Sequence, residues 1–375
     1  MTSPDPRGRV LRIADLPERA PLFSRPTWLA LLGLTLLACI AVPLMVLVAP
    51  PDSVWHLSAY GVTLLGKILC YATAALALNL VWGYCGILSL GHALFFALGG
   101  YVMGMHLVRV AAGGGLPEFM SFLDWQTLPW FWQASGSLAA TLLLIVLVPG
   151  LLALALGWMM FRSRIKGVYL SIITQALTYC AMLLFFRNET GLGGNNGFTG
   201  FRTLLGWDIT QDSTRLVLLG LSFALLLGSL LLCRAIMVSR LGKVVLGLRD
   251  AEGRLTTSGY SALPYRLVIW TISAVLCGIA GALYVPQVGI INPGEMAPVQ
   301  SIEMAIWVAV GGRATVWGPI VGALGVNGAK TVLTATWADG WLFVLGGLFV
   351  LVTLWLPGGL VSLGARLKAL KGTAA

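Results

Sequence analysis

The sequence predicts an all-α integral membrane protein that crosses the bilayer many times. Three observations carry that reading. Of its 375 residues, 58% are hydrophobic and only 10% charged, against roughly 45–50% apolar and about 25% charged in a soluble domain. Mean hydropathy is +0.88. Apolar runs of spanning length, about 20 residues each, recur along the chain between short polar loops.

Those runs fall near 28–48, 60–82, 88–108, 138–161, 168–186, 215–236, 265–286, 301–311, 318–336 and 341–357. They give about ten spans, or eight to nine if short runs do not cross, and 301–311 is short enough to be tilted, broken or re-entrant. Residues 1–26 are too long and mixed for a signal-peptide leader, so 28–48 reads as a retained first helix. The chain divides into a tail at 1–26, a transmembrane domain at 27–362 and a tail at 363–375.

Charge orients the spans. Arg7, Arg9, Arg12, Arg19 and Arg25 lie in the first tail, and Arg162, Arg164 and Lys166 in one loop. Arg234, Arg240, Lys243, Arg249, Arg254 and Arg266 surround the 239–264 loop, and Arg313, Arg366, Lys368 and Lys371 follow. With about ten spans all of these fall on one side, the cytoplasmic one by the positive-inside rule. Both termini are then cytoplasmic. The loops 110–137 and 188–214 become external; the first has no Lys or Arg but carries Glu118, Asp124, Trp125, Trp130 and Trp132. This distribution accounts for the net charge of +10 without nucleic acid.

Other patterns concern packing. Ala274, Gly278 and Ala282 recur every fourth residue, which lets helices approach closely in lipid. Pro149-Gly150 predicts a kink in its helix. Glycine-rich breaks at 82–92 and 311–319 each separate two apolar runs and point to an internal inverted repeat.

Several chemistries are excluded. Cys39, Cys70, Cys85, Cys180, Cys233 and Cys277 form no CxxC pair, and the histidines are scattered, so neither a disulfide framework nor a metal site is indicated. Gly66-Lys67 and Gly242-Lys243 are followed by Ile and Val, so no P-loop exists. No catalytic residue set stands out.

Polar residues inside apolar runs are the first candidates for function. Glu303 in "SIEMAIWVAV" is costly near membrane depth and lines a pathway unless it sits at the interface. Asn79, Gln175, Asn327 and Lys330 face protein or a water-filled path, since lipid leaves them unsatisfied. In the loop "GLGGNNGFTGF", Asn195 and Asn196 offer amides to a neutral polar solute.

The stretch "LRDAEGRLTTSGY" concentrates charge in an apolar chain. Its spacing predicts a short helix with Arg249, Glu252 and Thr256 on one face and Gly259 at its end. Such a helix is a surface for a cytoplasmic protein partner.

Arg249-Asp250-x-Glu252, the glycine at Gly259 and the following "YRLVIWTISAVLCGIAGALY" resemble the coupling loop of ABC importer permeases. "LNLVWGYCGILSLGHALFFALGGY", "SRIKGVYLSIITQALTY" and "IEMAIWVAVGGRATVWGPIVGA" extend the resemblance, to the branched-chain amino acid (LivM-type) permease family, over about residues 60–360. "GGNNGFTGF", "LPEFMSFLDWQTLPWFW" and "YVPQVGIINPGEM" resemble its urea transporter (UrtC-type) branch, as does Thr174-Gln175, where the amino acid branch tends to carry Thr-Leu. Thr256 stands where many relatives have alanine.

The resemblance implies an inner-membrane importer subunit for urea or short-chain amides. Arg249, Asp250, Glu252, Thr256 and Gly259 would couple it to ATPases, and Asn79, Thr174, Gln175, Asn195, Asn196 and Glu303 would mark the path. Its partners would be a second, homologous permease, two cytoplasmic ATP-binding subunits and a periplasmic solute-binding protein. The chain would hold no cofactor of its own, with ATP and Mg on the ATPases. Two alternatives stay open: branched-chain amino acid import, and a stand-alone ion-coupled transporter using Glu303 as proton carrier.

Overall fold

The computed structural model describes residues 22–50, 53, 56–337, 340–356 and 358–362, so most of both tails lies outside it. Among the described residues the only strands are Thr203–Leu204 and Trp207–Asp208, paired antiparallel. The main helices are α1 (Arg25–Leu47), α2 (Ala59–Tyr84), α3 (His92–Ala111), α4 (Leu138–Arg162), α5 (Val168–Phe186) and α6 (Asp212–Val238). After them come α7 (Arg240–Thr257), α8 (Ala262–Val288), α9 (Pro298–Gly311), α10 (Gly318–Thr336) and α11 (Trp341–Trp355).

Seven of these, α1–α6 and α8, are long and apolar enough to cross a membrane. The chain is a multi-pass membrane protein. The apolar runs of the sequence correspond to α1–α6 and α8–α11. With its 14 residues, α9 rises about 21 Å, short of the roughly 30 Å hydrocarbon layer. Helix α10 has 19 residues but carries Asn327 and Lys330.

Local chemistry sets the boundaries. Ser58 and Ser137 accept the Gly61 and Ala140 amides, capping α2 and α4. Pro298 opens α9 where no amide donor is needed. Helix α4 continues through Pro149, and Gly278 of α8 packs against that ring; a side-chain carbon at Gly278 would lie 2.6 Å from it.

Burial separates centre from periphery. In α2, α3 and α8, 78%, 83% and 67% of the most apolar stretch is buried, against 11% in α1. Gly99 meets the Gly278 backbone and Gly281 meets Phe96, with no room for a side chain at either. The small-residue pattern of α8 is thus a packing device. Around the edge, Leu29, Leu32 and Leu47 of α1 are exposed, as lipid contact requires.

Contacts define two ends of the bundle. At one, Lys166 meets Glu252, Arg234 reaches the Leu22 carbonyl, Arg249 the Gly83 carbonyl, and Arg313 lies over Trp82. At the other, His106 bonds Ser135, Trp132 donates to Gly191, and Phe198 pairs with Ile291. Helix α3, about 30 Å long, separates them. The basic loops gather at the first end, and the Trp- and acid-bearing loops at the second.

Candidate functional site

At the basic end, α7 begins with Ser239 accepting the Gly242 amide. It is regular through Asp250, then interrupted at Ala251 (φ −152°, ψ 58°). The single face predicted for Arg249, Glu252 and Thr256 is therefore corrected, since the helical register does not run through Ala251. Arg249 turns to the bundle, its Nη1 donating to Gly83 O at 2.7 Å. Its Nε and Nη2 grip the Asp250 carboxylate at 2.8 and 3.3 Å. Gly86 (φ +75°) leaves room for this side chain, since an added carbon there would lie 2.8 Å from Arg249 Cγ.

Glu252 faces another pair of cations. Arg266 donates to both its oxygens at 3.1 and 3.0 Å, and Lys166 to Oε2 at 2.7 Å. Partial burial raises the Glu252 carboxyl, but donation from Arg266 and Lys166 outweighs it and holds the group below the usual glutamate value. Asp250, exposed, is also held low by donation from Arg249. Thr256 turns its hydroxyl back to the Glu252 and Gly253 carbonyls.

Helix α7 ends as its sequence predicts. Gly259 has φ +89°. Its amide donates to Thr256 O and the Tyr260 amide to Leu255 O, both at 3.1 Å. That is a Schellman closure with glycine at C′. Asp250, Gly253, Arg254, Thr256 and Thr257 are left exposed.

The polar residues assigned to the path lie apart. Asn79 is fully buried, its Nδ2 donating to Thr315 O at 2.9 Å and its Oδ1 accepting the Ala314 amide at 3.0 Å. It ties the two glycine-rich breaks together, and Gly83 sits too close to Ala314 to carry a side chain. Thr174 accepts the Leu90 amide and donates to Ser171 O, holding the 85–91 segment. His92 does similar work between Ser89 and Ser273. Gln175 has its buried Oε1 unpartnered. Asn195 and Asn196 are exposed at the far end, in a loop pinned by Phe198 N to Ile291 O at 2.8 Å.

Glu303 belongs to a larger group. Lys330 Nζ reaches both its oxygens at 2.9 Å, and Glu303 is only 4% exposed. Tyr284 donates to Glu295 Oε1 at 2.9 Å, and Tyr71 to Tyr284 at 3.5 Å. Lys67 Nζ lies over both rings, 5.6 Å from the Tyr71 centroid and 5.9 Å from that of Tyr284. A cleft of about 330 Å³ between α2 and α10 opens onto Lys67, Tyr71, Asn327 and Lys330. Sequence reasoning named Glu303, Asn327 and Lys330 but passed over Lys67 and Glu295. The signal for Lys67 was present: a lone cation inside an apolar run.

Residues 60–353 match the family described as the branched-chain amino acid transport system permease component. The high-affinity branched-chain amino acid transport system permease protein LivM of Escherichia coli K12 is 26% identical over 331 residues, 82% of this chain and 71% of that protein. LivM of Salmonella typhimurium LT2 is 26% identical over 317 residues, covering 78% and 68%. No solved structure matches the chain. With a match running from α2 into α11, the chain belongs to the family of permease components of branched-chain amino acid transport systems.

Proposed function

We propose that this chain is a permease subunit of an ATP-binding cassette importer that carries urea or short-chain amides inward across the bacterial inner membrane. ATP and Mg are bound on two partner ATPases, while a second, homologous permease and a periplasmic binding protein complete the machine. Residues 27–362 form the permease domain, with 239–264 as the cytoplasmic coupling loop. The loops 110–137 and 188–214 are external.

Helix α7 carries this reading. It is fixed to the bundle at Gly83 and through Glu252 to Lys166 and Arg266, while Asp250, Arg254 and Thr256 stay exposed for a partner. In the urea assignment, the support comes from the resemblance of "GGNNGFTGF" and its companions to the urea branch. The exposed amides of Asn195 and Asn196 suit a neutral solute. Branched-chain amino acid import is the second reading, favoured by the names of both curated relatives. The ion-coupled carrier loses support because Lys330 holds both Glu303 oxygens.

Three measurements test the reading. Uptake of radiolabelled urea and of isoleucine, with and without this chain, decides the substrate. Uptake that stops on ATP depletion but survives collapse of the membrane potential fits an importer driven by ATPases. The double variant Arg249→Ala/Glu252→Ala is expected to lose ATPase co-purification and uptake together; retention of both would refute the coupling assignment.

A further inference from the structure

The cleft between α2 and α10 is not used by the coupling scheme. It lies in the half of the bundle nearer the Trp-bearing loops. Lys67 stands about 12 Å along α2 from its start at Ala59, and Lys330 about 9 Å from the Thr336 end of α10. Its charges are unequal in availability. Lys330 and Glu303 neutralise each other, and Glu295 is engaged by Tyr284. Lys67 has no carboxylate within ion-pair distance among the described residues; the two tyrosine rings lie against it, and Glu295 and Glu303 act on it only from further off. A cation at this depth is costly unless another acceptor completes its shell.

The opposite wall offers acceptors. Asn327 Nδ2 donates to Ala323 O within its own helix, which leaves Oδ1 with no donor, and the residue is only 4% exposed. Thr331 and Thr334 also turn their protons back into α10, leaving oxygen lone pairs outward. One wall thus presents N–H donors and the other presents oxygen acceptors. A solute with one carbonyl and several N–H groups fits both. Neither Glu295 nor Glu303 lines the cleft, so the ammonium of a free amino acid would find no carboxylate on its walls. At about 330 Å³ the cleft is at the low end for ligand sites, as a small solute needs.

We propose that this cleft is a solute-contact station in the membrane-embedded path, receiving a small neutral amide with its carbonyl oxygen on Lys67 Nζ and an N–H on Asn327 Oδ1. The assignment rests on the importer reading above and adds the place and polarity of the contact. Lys67 is a binding residue in this scheme, and Lys330 with Glu303 positions the wall beside it.

The test uses the complete importer, with binding protein and both ATPases, in proteoliposomes supplied with radiolabelled urea. Lys67→Met should lower urea uptake about tenfold or more, as loss of a charged hydrogen bond predicts, with the complex still recovered intact. Undiminished uptake by Lys67→Met, beside a transporting wild type, overturns the cleft and leaves the importer reading standing. A wild type that moves isoleucine but not urea overturns both the substrate and the ligand assigned here. If Lys67→Met does not yield the complex, Asn327→Leu decides instead: a comparable fall supports the site, and unchanged uptake refutes it.

Discussion

Two glutamates in this protein each hold lysine, in opposite surroundings. Glu252 meets Lys166 and Arg266 at the basic end, where side-chain exposures are 27%, 56% and 14%. Glu303 meets Lys330 among helices, where the carboxylate side chain is 4% exposed. Exposed pairs contribute about 0.2–1 kcal/mol each, whereas breaking a buried pair by removing one partner costs about 3–5 kcal/mol. The same two residue types therefore make a contact that can be released cheaply at α7 and one that must persist between α9 and α10. A coupling element needs the first kind, and a wall inside a membrane needs the second.

The largest effect expected from this contrast is at Lys330. Lys330→Met leaves Glu303 buried and unpaired, and should lower stability by about 3–5 kcal/mol. A thermal melt of the detergent-solubilised protein measures it. Adding Glu303→Gln should recover most of the loss, and a single variant as stable as wild type would break the comparison. At the α7 end, Gly259→Ala places a side chain at φ +89° and should cost about 1 kcal/mol; faster amide exchange confined to the last turn of α7 is the expected signature. Smaller still, Lys166→Met should cost no more than about 1 kcal/mol, because Lys166 is 56% exposed and Arg266 still holds Glu252.

Acidification sharpens the same point. Glu252 lies below its ordinary value of about 4.3, so its ion pairs stabilise α7 above that pH and fade only as pH falls through the lower, folded value. Exchange protection of α7 should hold from neutrality to about pH 5 and decline below about 4. A decline already complete near pH 6 would contradict the assigned donors.

Much of this was legible in the residues themselves. Apolar run length gave the helices, and the grouping of Arg162, Arg164, Lys166 and Arg266 at one end of the bundle follows the loop charge pattern. Gly259 marked the stop of α7 because few other residues adopt that φ. The interruption at Ala251 was not legible, since alanine favours helix; it falls between Arg249, which bonds Gly83, and Glu252, which bonds Lys166 and Arg266. Asn79 was legible only in part: a buried amide in an apolar run must face protein or a path, and its bonds to the backbone at Ala314 and Thr315 come from a loop far along the chain. The grouping around Lys67 was hidden because Tyr284 and Glu295 come from a part of the chain distant from Lys67 and Tyr71. Periodicity reports which face of a helix is buried, not which faces meet.

The bond from Arg249 to the Gly83 carbonyl gives α2 a handle. Helix α2 carries Lys67 about 24 Å further up the same rod, with Asn79 clamped between them. Any shift of α7 that keeps that bond must drag the foot of α2. A stiff helix turns a pull at its foot into a tilt along its length, so one lever joins the loop where a motor would push to the cleft where a cargo would rest.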